Sequence, residues 1–574
     1  MTIIDVLRRH AAQRPDAVAY RYLANGEDEV ERLTFGQLAA SAEQIGRQLI
    51  ALEPRQTGVL LCLDSGTNFI KAFLGCQLAG LVPISVDLPR PNRSVERLTS
   101  IVQKSGAAAY LSDGATLPRL RQAGEAARCL EKLRAHNIDE LAAAGAGPAA
   151  LDRIAGTDLA FIQYSSGTIG SPKGIAISHD NLIHNQLQIK ERFGHDEQTR
   201  FVGWLPMFHD MGLVGNVLQP LYLGIECTLM SPAHFIQRPI RWFSAITRYR
   251  GTTSGGPNFA YDHCVDRITD AELSTIDLSS WRVAFNGAEP IRAATLRRFC
   301  ERFRSAGFSE TTFLPCYGLA EATLFVSGCP SDAKPVFLSL ERSALEAGGR
   351  VLPADDAPED PIELVASGPP AIDQAIRIAE PESGRVLDDG CVGEIWIAGP
   401  NVSRGYIDEL EDINKVFRAQ VPDSAASYLR TGDLGFLWHG ELFVTGRIKD
   451  LIIIRGRNIY PQDVEASVAR AHPLLYTHRS AAFSILDAED EQLVVVHEIA
   501  RQPAASDEAA AALQDAFRAV IDQFDTAPHD IVLVQPAAIP TTSSGKVQRA
   551  KARAAYLERS FRVLARFRTD SAPS

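Results

Sequence analysis

No two of the nine cysteines in this 574-residue chain lie closer than 13 positions, so there is no Cys-x-x-Cys pair for a zinc ribbon or a redox centre. The cysteines (62, 76, 129, 227, 264, 300, 316, 329 and 391) read as reduced, mostly buried small hydrophobes. No apolar run reaches 18 residues, and the N-terminus, Met1-Thr-Ile-Ile-Asp-Val-Leu-Arg-Arg-His10, turns charged before a 7-residue apolar stretch develops. Neither a membrane span nor a secretory leader is expected, and the expected location is the cytoplasm. Positive charge is also short: 58 Lys and Arg against 70 Asp and Glu leave a net charge of −12, which works against a nucleic-acid footprint. Three catalytic signatures are missing. There is no Gly-x4-Gly-Lys-Ser/Thr loop, no Gly-x-Ser-x-Gly elbow, and no His-Glu-x-x-His site, because Arg501 stands where His497-Glu498 needs a second His.

What is present is globular composition, 45% hydrophobic and 22% charged, over a length that suits several packed units. Residues 58–64 are strand-like, 68–79 have helical apolar spacing, and 81–86 are strand-like again. Such a βαβ unit argues for an α/β fold with a mostly parallel sheet. Residues 116–150 lack strand signals and read as a helix and a surface connection. Gly145-Ala-Gly-Pro-Ala-Ala150 spells a dinucleotide fingerprint, but no apolar strand precedes it and Pro148 sits inside the turn. The Pro-, Asp- and Glu-rich stretch 344–361 reads as an insertion or a polar surface excursion. Strand-like runs resume at 392–398 and 440–444. From 450 the chain starts afresh, with strands at 451–454, 493–496 and 531–534 and helices from Pro461 and over 508–524, enough for a small domain of its own.

Tyr164-Ser-Ser-Gly-Thr-Ile-Gly-Ser-Pro-Lys-Gly174 lies between two apolar runs. Its glycines admit close backbone approach, its hydroxyls donate hydrogen bonds and its lysine adds charge, a composition that suits a polyphosphate. An ordinary Ser/Gly hairpin turn is the alternative for that segment alone. It is followed in order by Leu205-Pro-Met-Phe-His-Asp-Met-Gly212, Asn286-Gly-Ala-Glu-Pro290, Cys316-Tyr-Gly-Leu-Ala-Glu-Ala-Thr323 and Tyr428-Leu-Arg-Thr-Gly-Asp-Leu-Gly435. Gly446-Arg-Ile-Lys-Asp450 and Pro540-Thr-Thr-Ser-Ser-Gly-Lys546 complete the series.

This series resembles the adenylate-forming superfamily over nearly the whole chain. Within it, His209-Asp-Met-Gly212, Ser254-Gly-Gly-Pro-Asn-Phe-Ala260 and Arg455-Gly-Arg-Asn-Ile-Tyr-Pro-Gln-Asp-Val-Glu465 are most similar to the fatty acyl-AMP ligases. The resemblance implies a large N-terminal adenylation domain (1–447) of packed parallel and mixed sheets with helices. It further implies a family-specific insertion near 330–361, a hinge at 448–450 around Lys449, and a small mobile C-terminal α+β domain (451–574).

By the same resemblance, Lys546, Glu321 and His209 are the catalytic residues, and Glu321 is the Mg²⁺ ligand. Ser165, Ser166, Gly167, Thr168, Lys173, Gly287, Ala288, Glu289, Tyr317, Gly318, Leu319, Asp433 and Arg447 hold ATP. His209, Asp210, Gly256, Pro257 and Phe259 meet the acyl chain. Each residue type suits its part: a hard carboxylate for Mg²⁺, a flat phenol for adenine, an acid and a guanidinium for the ribose. The ammonium of Lys546 would lie between the attacking carboxylate and the α-phosphate. The implied reaction converts a fatty acid and ATP into acyl-AMP and pyrophosphate, then passes the acyl group to the phosphopantetheine thiol of an acyl carrier protein. That carrier is expected in trans. A medium- or long-chain acyl-CoA ligase is the nearest rival, and a non-catalytic ATP-binding lipid sensor is a rival of another class. An amino-acid adenylation domain fits less well, because His209 stands where those domains typically have an Asp as ammonium partner.

Overall fold

The computed structural model describes residues 1–569 apart from 89–94, 146–152, 166–171, 354–360, 408–409, 423, 455–456, 477–478, 488–489, 500, 502–505 and 543–545. Two large sheets dominate. The eight-stranded sheet runs in the order Phe325–Gly328, Phe313–Gly318, Val283–Asn286, Thr253–Gly256, Phe201–Gly203, Cys227–Met230, Val18–Ala24 and Asp28–Thr34. Its interior pairs are parallel and its two outermost pairs antiparallel. The six-stranded sheet runs Arg134–Asn137, Ala109–Ser112, Gly58–Leu61, Val82–Ser85, Leu159–Tyr164 and Gly174–Ser178.

One core joins both sheets through the helices Phe35–Leu52, Thr67–Leu78 and His179–Phe193. Two of these helices touch closely: a Cβ on Gly75 would sit 2.6 Å from Ile45 Cγ2, so glycine is what lets them approach. The other face of the six-stranded sheet is covered by Glu96–Lys104, Thr116–Gln122 and Glu125–Leu130. Burial on both faces explains why strands such as 58–61 read as unbroken apolar runs.

The parallel pair Gly58–Leu61 and Val82–Ser85 with its intervening helix is the βαβ unit read from the sequence. Residues 116–150, expected to hold no strand, contribute Arg134–Asn137, which pairs parallel to Ala109–Ser112. As the sheet's edge strand it is largely exposed, so no apolar run marks it. The Gly145–Ala150 fingerprint lies almost wholly outside the described residues.

Four antiparallel strands, Ala375–Ala379, Gly393–Ala398, Leu429–Trp438 and Glu441–Arg447, form a separate sheet beside the main core. The smaller C-terminal domain is built on Ser480–Asp487, Asp490–Glu498, Asp530–Val534 and Val563–Arg568. Helices Pro461–Ala471 and Ser506–Phe524 cover one face of this sheet, and Arg549–Leu557 covers the other. The first and last of these strands carry too much Ser, Ala and Arg to stand out as apolar runs.

The stretch 344–361 is not a purely polar excursion. Phe337–Glu341 and Pro361–Val365 form an antiparallel pair, with the helix Arg342–Glu346 following the first strand. Leu345 and Val351 are buried with Leu340, Ile362, Phe436, Phe443 and, from the C-terminal part of the chain, Tyr460. Two apolar side chains among many polar ones are invisible to composition, yet they tie this segment into a core. Arg457 Nη2 donates to Glu346 Oε2 at 2.5 Å, Arg342 Nη1 lies 3.7 Å from Asp463 Oδ2, and the Arg342 guanidinium stands 5.6 Å over the Phe524 ring. Arg455 lies outside the described residues.

Candidate active site

The motif segments converge on one cleft of about 830 Å³ between the large sheets and the C-terminal domain. Its walls are set by strand ends. Phe313–Gly318 delivers Tyr317 and Gly318, and the short turn Ala320–Ala322 then presents Glu321. A Cβ on Gly318 would lie 1.8 Å from the Leu324 carbonyl oxygen, so only glycine lets the chain fold back there. After Val283–Asn286, Ala288 takes the left-handed conformation (φ 73°), a strained turn for a residue with a side chain, and Glu289 follows it.

Asp433 and Arg447 face each other across paired antiparallel strands. Arg447 Nε donates to Asp433 Oδ1 at 2.9 Å and Tyr317 Oη donates to Asp433 Oδ2 at 2.7 Å. Asp433 is therefore a strand residue, not the turn residue that Thr-Gly-Asp also permits. Burial pushes the Tyr317 phenol well above its usual range, and the Asp433 carboxylate pushes it further. The same carboxylate raises the Arg447 guanidinium above its ordinary value.

Glu321 Oε1 accepts a hydrogen bond from Tyr406 Oη at 3.1 Å. The ring of that tyrosine lies 4.6 Å beneath the Lys173 ammonium. Tyr406 thus touches both the carboxylate and the loop cation. Burial raises the Glu321 carboxyl, with Arg447 opposing. The loop 164–174 is the hairpin between Leu159–Tyr164 and Gly174–Ser178; Ser165 N donates to the Lys173 carbonyl at 3.0 Å and Lys173 N to Ser165 Oγ at 3.3 Å. Ser166, Gly167 and Thr168 lie outside the described residues. Arg97 closes the base of this loop, donating to the Ser165 carbonyl at 2.9 Å and the Tyr164 carbonyl at 3.3 Å.

Lys546 enters the cleft from the C-terminal domain, with Thr542 and Lys546 exchanging hydrogen bonds at 2.7 and 3.0 Å. Burial lowers its ammonium, as does Arg447, while Asp210, Glu289 and Asp433 act in the opposite direction. Glu289 Oε1 is buried with no hydrogen-bond partner among the described residues. His209 Nδ1 lies 2.5 Å from Asp210 Oδ1, which also accepts from Met211 N at 2.7 Å. Burial alone would raise the Asp210 carboxyl, but His209 and Lys546 hold it below its usual value.

The same cleft is also lined by the apolar side chains of Met211, Phe259, Phe285, Leu324, Phe193 and Phe201. Of the expected acyl-binding residues, His209, Asp210 and Phe259 line the cleft, but Gly256 and Pro257 do not. Gly256 lies in a strand covered by Trp204, whose Cζ2 would sit 2.7 Å from a Cβ there. Gly287, Ala288, Leu319 and Lys449 are on the cleft wall. Arg97, Tyr406 and the aromatic residues of that lining other than Phe259 escaped sequence reasoning. Arg97 sits in a helix with no motif, and the phenylalanines come from strands and helices far apart in the chain.

The family model of the AMP-binding enzymes matches residues 7–407, and that of the Disco-interacting protein 2-like AMP domain matches 449–566. The chain is 39% identical to the medium-chain-fatty-acid–[acyl-carrier-protein] ligase JamA of Moorena producens, over 97% of this chain and 95% of that one. It is 34% identical to the long-chain-fatty-acid–AMP ligase FadD32 of Mycolicibacterium smegmatis, over 98% and 95%. The crystal structure of the fatty acyl-adenylate ligase from L. pneumophila, in complex with acyl adenylate and pyrophosphate, superposes with a TM-score of 0.75 at 36% identity, covering 99% of this chain and 98% of that one.

Proposed function

Because this chain belongs to the AMP-binding enzyme family and, within it, to the fatty acyl-AMP ligases, we propose that it activates a fatty acid with ATP and hands the acyl group to the thiol of a carrier protein supplied in trans. One observation carries this reading. Glu321, the Asp433–Arg447 pair and Lys546 line the same cleft as a set of aromatic and aliphatic side chains, so a charged nucleotide and an apolar tail fit one cleft.

In the first half-reaction an oxygen of the fatty acid carboxylate attacks the α-phosphorus of ATP as the bond to the β-phosphate bridging oxygen breaks, and pyrophosphate leaves. In the second, the thiol sulfur attacks the acyl carbonyl carbon, the thiol proton is lost, and AMP departs with the electron pair. Neither step needs a nucleophilic side chain, so the protein's work is positioning and charge. Asp433 and Arg447 engage the ribose, and Tyr317 lies against the adenine. Ser165, Lys173 and the loop between them cradle the phosphates, with Arg97 bracing the loop. Lys546 spans the attacking carboxylate and the α-phosphate, and His209, paired with Asp210, lies on the acyl side of the substrate.

Among the described residues no three His, Cys, Asp or Glu converge as a metal cage. Glu321 alone, beside substrate phosphates and water, is a donor set that suits Mg²⁺. When bound, Mg²⁺ would neutralise phosphate charge, and Glu321 would hold it. We also place the domain division at the turn Ile448–Asp450, with Lys449 as its pivot. A panel of acids of rising chain length, read by pyrophosphate release, tests the reading. The adenylate is then offered to coenzyme A and to a phosphopantetheinylated carrier. No acid-dependent pyrophosphate release would defeat it.

Two substitutions probe single contacts. Asp433→Asn is expected to weaken ATP binding about tenfold, because ribose contacts persist through the reaction and each charged hydrogen bond is worth about 1.5 to 3 kcal/mol. Titration calorimetry with ATP checks this. Tyr406→Phe deletes one hydrogen bond to Glu321 while keeping the ring under Lys173. Adenylation should fall about fivefold to tenfold, with the Mg²⁺ concentration for half-maximal rate rising. An unchanged Mg²⁺ dependence removes Tyr406 from the positioning of Glu321.

A further inference from the structure

We infer that the exposed face formed by the helix Arg549–Leu557, residues 558–562 and the strand Val563–Arg568 is the docking surface for an acidic carrier protein, an inference that rests on the function proposed above. In a chain of net charge −12, residues 549–568 carry seven Arg and Lys against one acid, Glu558. Two of these cations are committed inside the domain: Arg549 to Glu465 and Asp450, and Arg566 to Asp530. Lys551, Arg559 and Arg562 are exposed, and so is Arg553, which donates to the Ser484 carbonyl at 2.9 Å.

Apolar side chains stand among them. Leu557 is 52% exposed, Val563 45% and Leu564 37%. Exposed aliphatic residues in a segment whose exposed charges are nearly all positive have the composition of a partner site, and Leu564 shares its side of the strand with Arg566, whose guanidinium lies over the Tyr556 ring of the helix. Edge protection does not account for it. Val563–Arg568 is the edge of its sheet, and charges on edge strands suppress unwanted pairing. That reasoning covers Arg566 and Arg568. It does not reach Lys551, Arg553, Arg559 and Arg562, which precede the strand, nor does it require exposed leucines.

The face is also close to the chemistry. Val547 and Arg549 line the cleft, and the nine-residue helix that starts at Arg549 is about 13 Å long. In the orientation that holds Lys546 in the cleft, the outer side of this helix is within one short helix of the cleft wall, and a carrier seated there moves with the domain when it turns about Lys449 for thiol transfer. The acyl acceptor proposed for this enzyme is a folded carrier whose flexible arm delivers the thiol. A basic face beside the cleft selects an acidic carrier surface and steers its approach.

The test uses the full-length enzyme with a phosphopantetheinylated carrier. The double variant Arg559→Glu/Arg562→Glu should raise the KM for the carrier about tenfold or more and abolish its dependence on ionic strength. Pyrophosphate release and acyl transfer to free pantetheine should stay within about twofold of the parent, since neither needs the face. Arg559→Lys/Arg562→Lys should restore the parent KM. If the charge-reversed variant melts early, Leu564→Ser provides the same readout without altering charge. A carrier KM unchanged in both the charge-reversed and Leu564→Ser variants overturns the inference. So does an unchanged carrier KM combined with loss of binding to vesicles containing anionic phospholipid, which would assign the face to a membrane. If the parent enzyme itself forms adenylate but transfers nothing to any carrier, the functional reading fails, a result distinct from a misplaced docking face.

Discussion

Lys546→Ala is expected to slow acyl-adenylate formation by roughly 10² to 10³ while ATP affinity stays within about twofold of the parent. The lysine stands in the cleft with the carboxylates of Asp210, Glu289 and Asp433 acting on it and the Arg447 guanidinium opposing them. The ammonium is already desolvated by burial, so little solvent reorganisation is needed when negative charge builds between the attacking carboxylate and the α-phosphate. On the function proposed above, ATP in its ground state has other anchors, Arg447 and Lys173 among them, both of which line the cleft. The loss should therefore fall on the rate and not on binding. Single-turnover pyrophosphate release, run beside calorimetry with ATP, separates the two. Near-normal adenylation would remove Lys546 from the transition state. The second half-reaction gives an internal control: supplied with synthetic acyl-adenylate, the variant should still transfer to the carrier at close to the parent rate.

Glu346→Ala is expected to raise acyl-CoA formation about tenfold and leave adenylation nearly unchanged. Glu346 is 3% exposed and accepts the Arg457 guanidinium at 2.5 Å, joining the helix Arg342–Glu346 to the strand Arg457–Ile459. Arg342 reaches the same C-terminal part of the chain through Asp463 and the Phe524 ring. These contacts belong to the orientation that keeps Lys546 in the cleft, and they must break if the domain turns about Lys449 for thiol transfer. A charged hydrogen bond is worth about 1.5 to 3 kcal/mol, so losing it shifts a two-orientation equilibrium about 10- to 100-fold, discounted because Arg457 is partly exposed. Excision of the whole stretch 344–361 is a poorer experiment. It would strip Leu345 and Val351 from their cluster with Phe436, Phe443 and Tyr460, at a cost of about 2 to 5 kcal/mol for a large buried side chain. If Glu346→Ala folds and adenylates but makes no more acyl-CoA than the parent, the restraint on coenzyme A lies elsewhere, and Arg457 with its neighbours is next to be varied.

The sequence by itself determined the chemistry on offer and much of the architecture. Ser/Gly-rich segments, a Tyr-Gly-Leu-Ala-Glu run, Thr-Gly-Asp and a loop lysine are local signals, because backbone freedom, charge and hydroxyls are properties of neighbours in the chain. The parallel βαβ unit was legible too, since strands buried on both faces leave unbroken apolar runs such as 58–61. Strands at sheet edges, Arg134–Asn137 and Val563–Arg568, left no such trace because half of each faces water. Only the tertiary structure decided what meets what. Asp433 takes Arg447 and Tyr317 as partners through strand register and a separate sheet, Glu321 takes Tyr406 from 85 positions away, and Arg97 reaches the loop at 165 from a helix with no motif. The apolar lining of the cleft depends most on the fold, because it is made mainly of aromatic residues from elements spread between 193 and 325. A hydrophobic side chain carries no mark of which cavity it will line: burial is non-directional, and the packing of whole sheets, not the residue's neighbours, sets the space it faces.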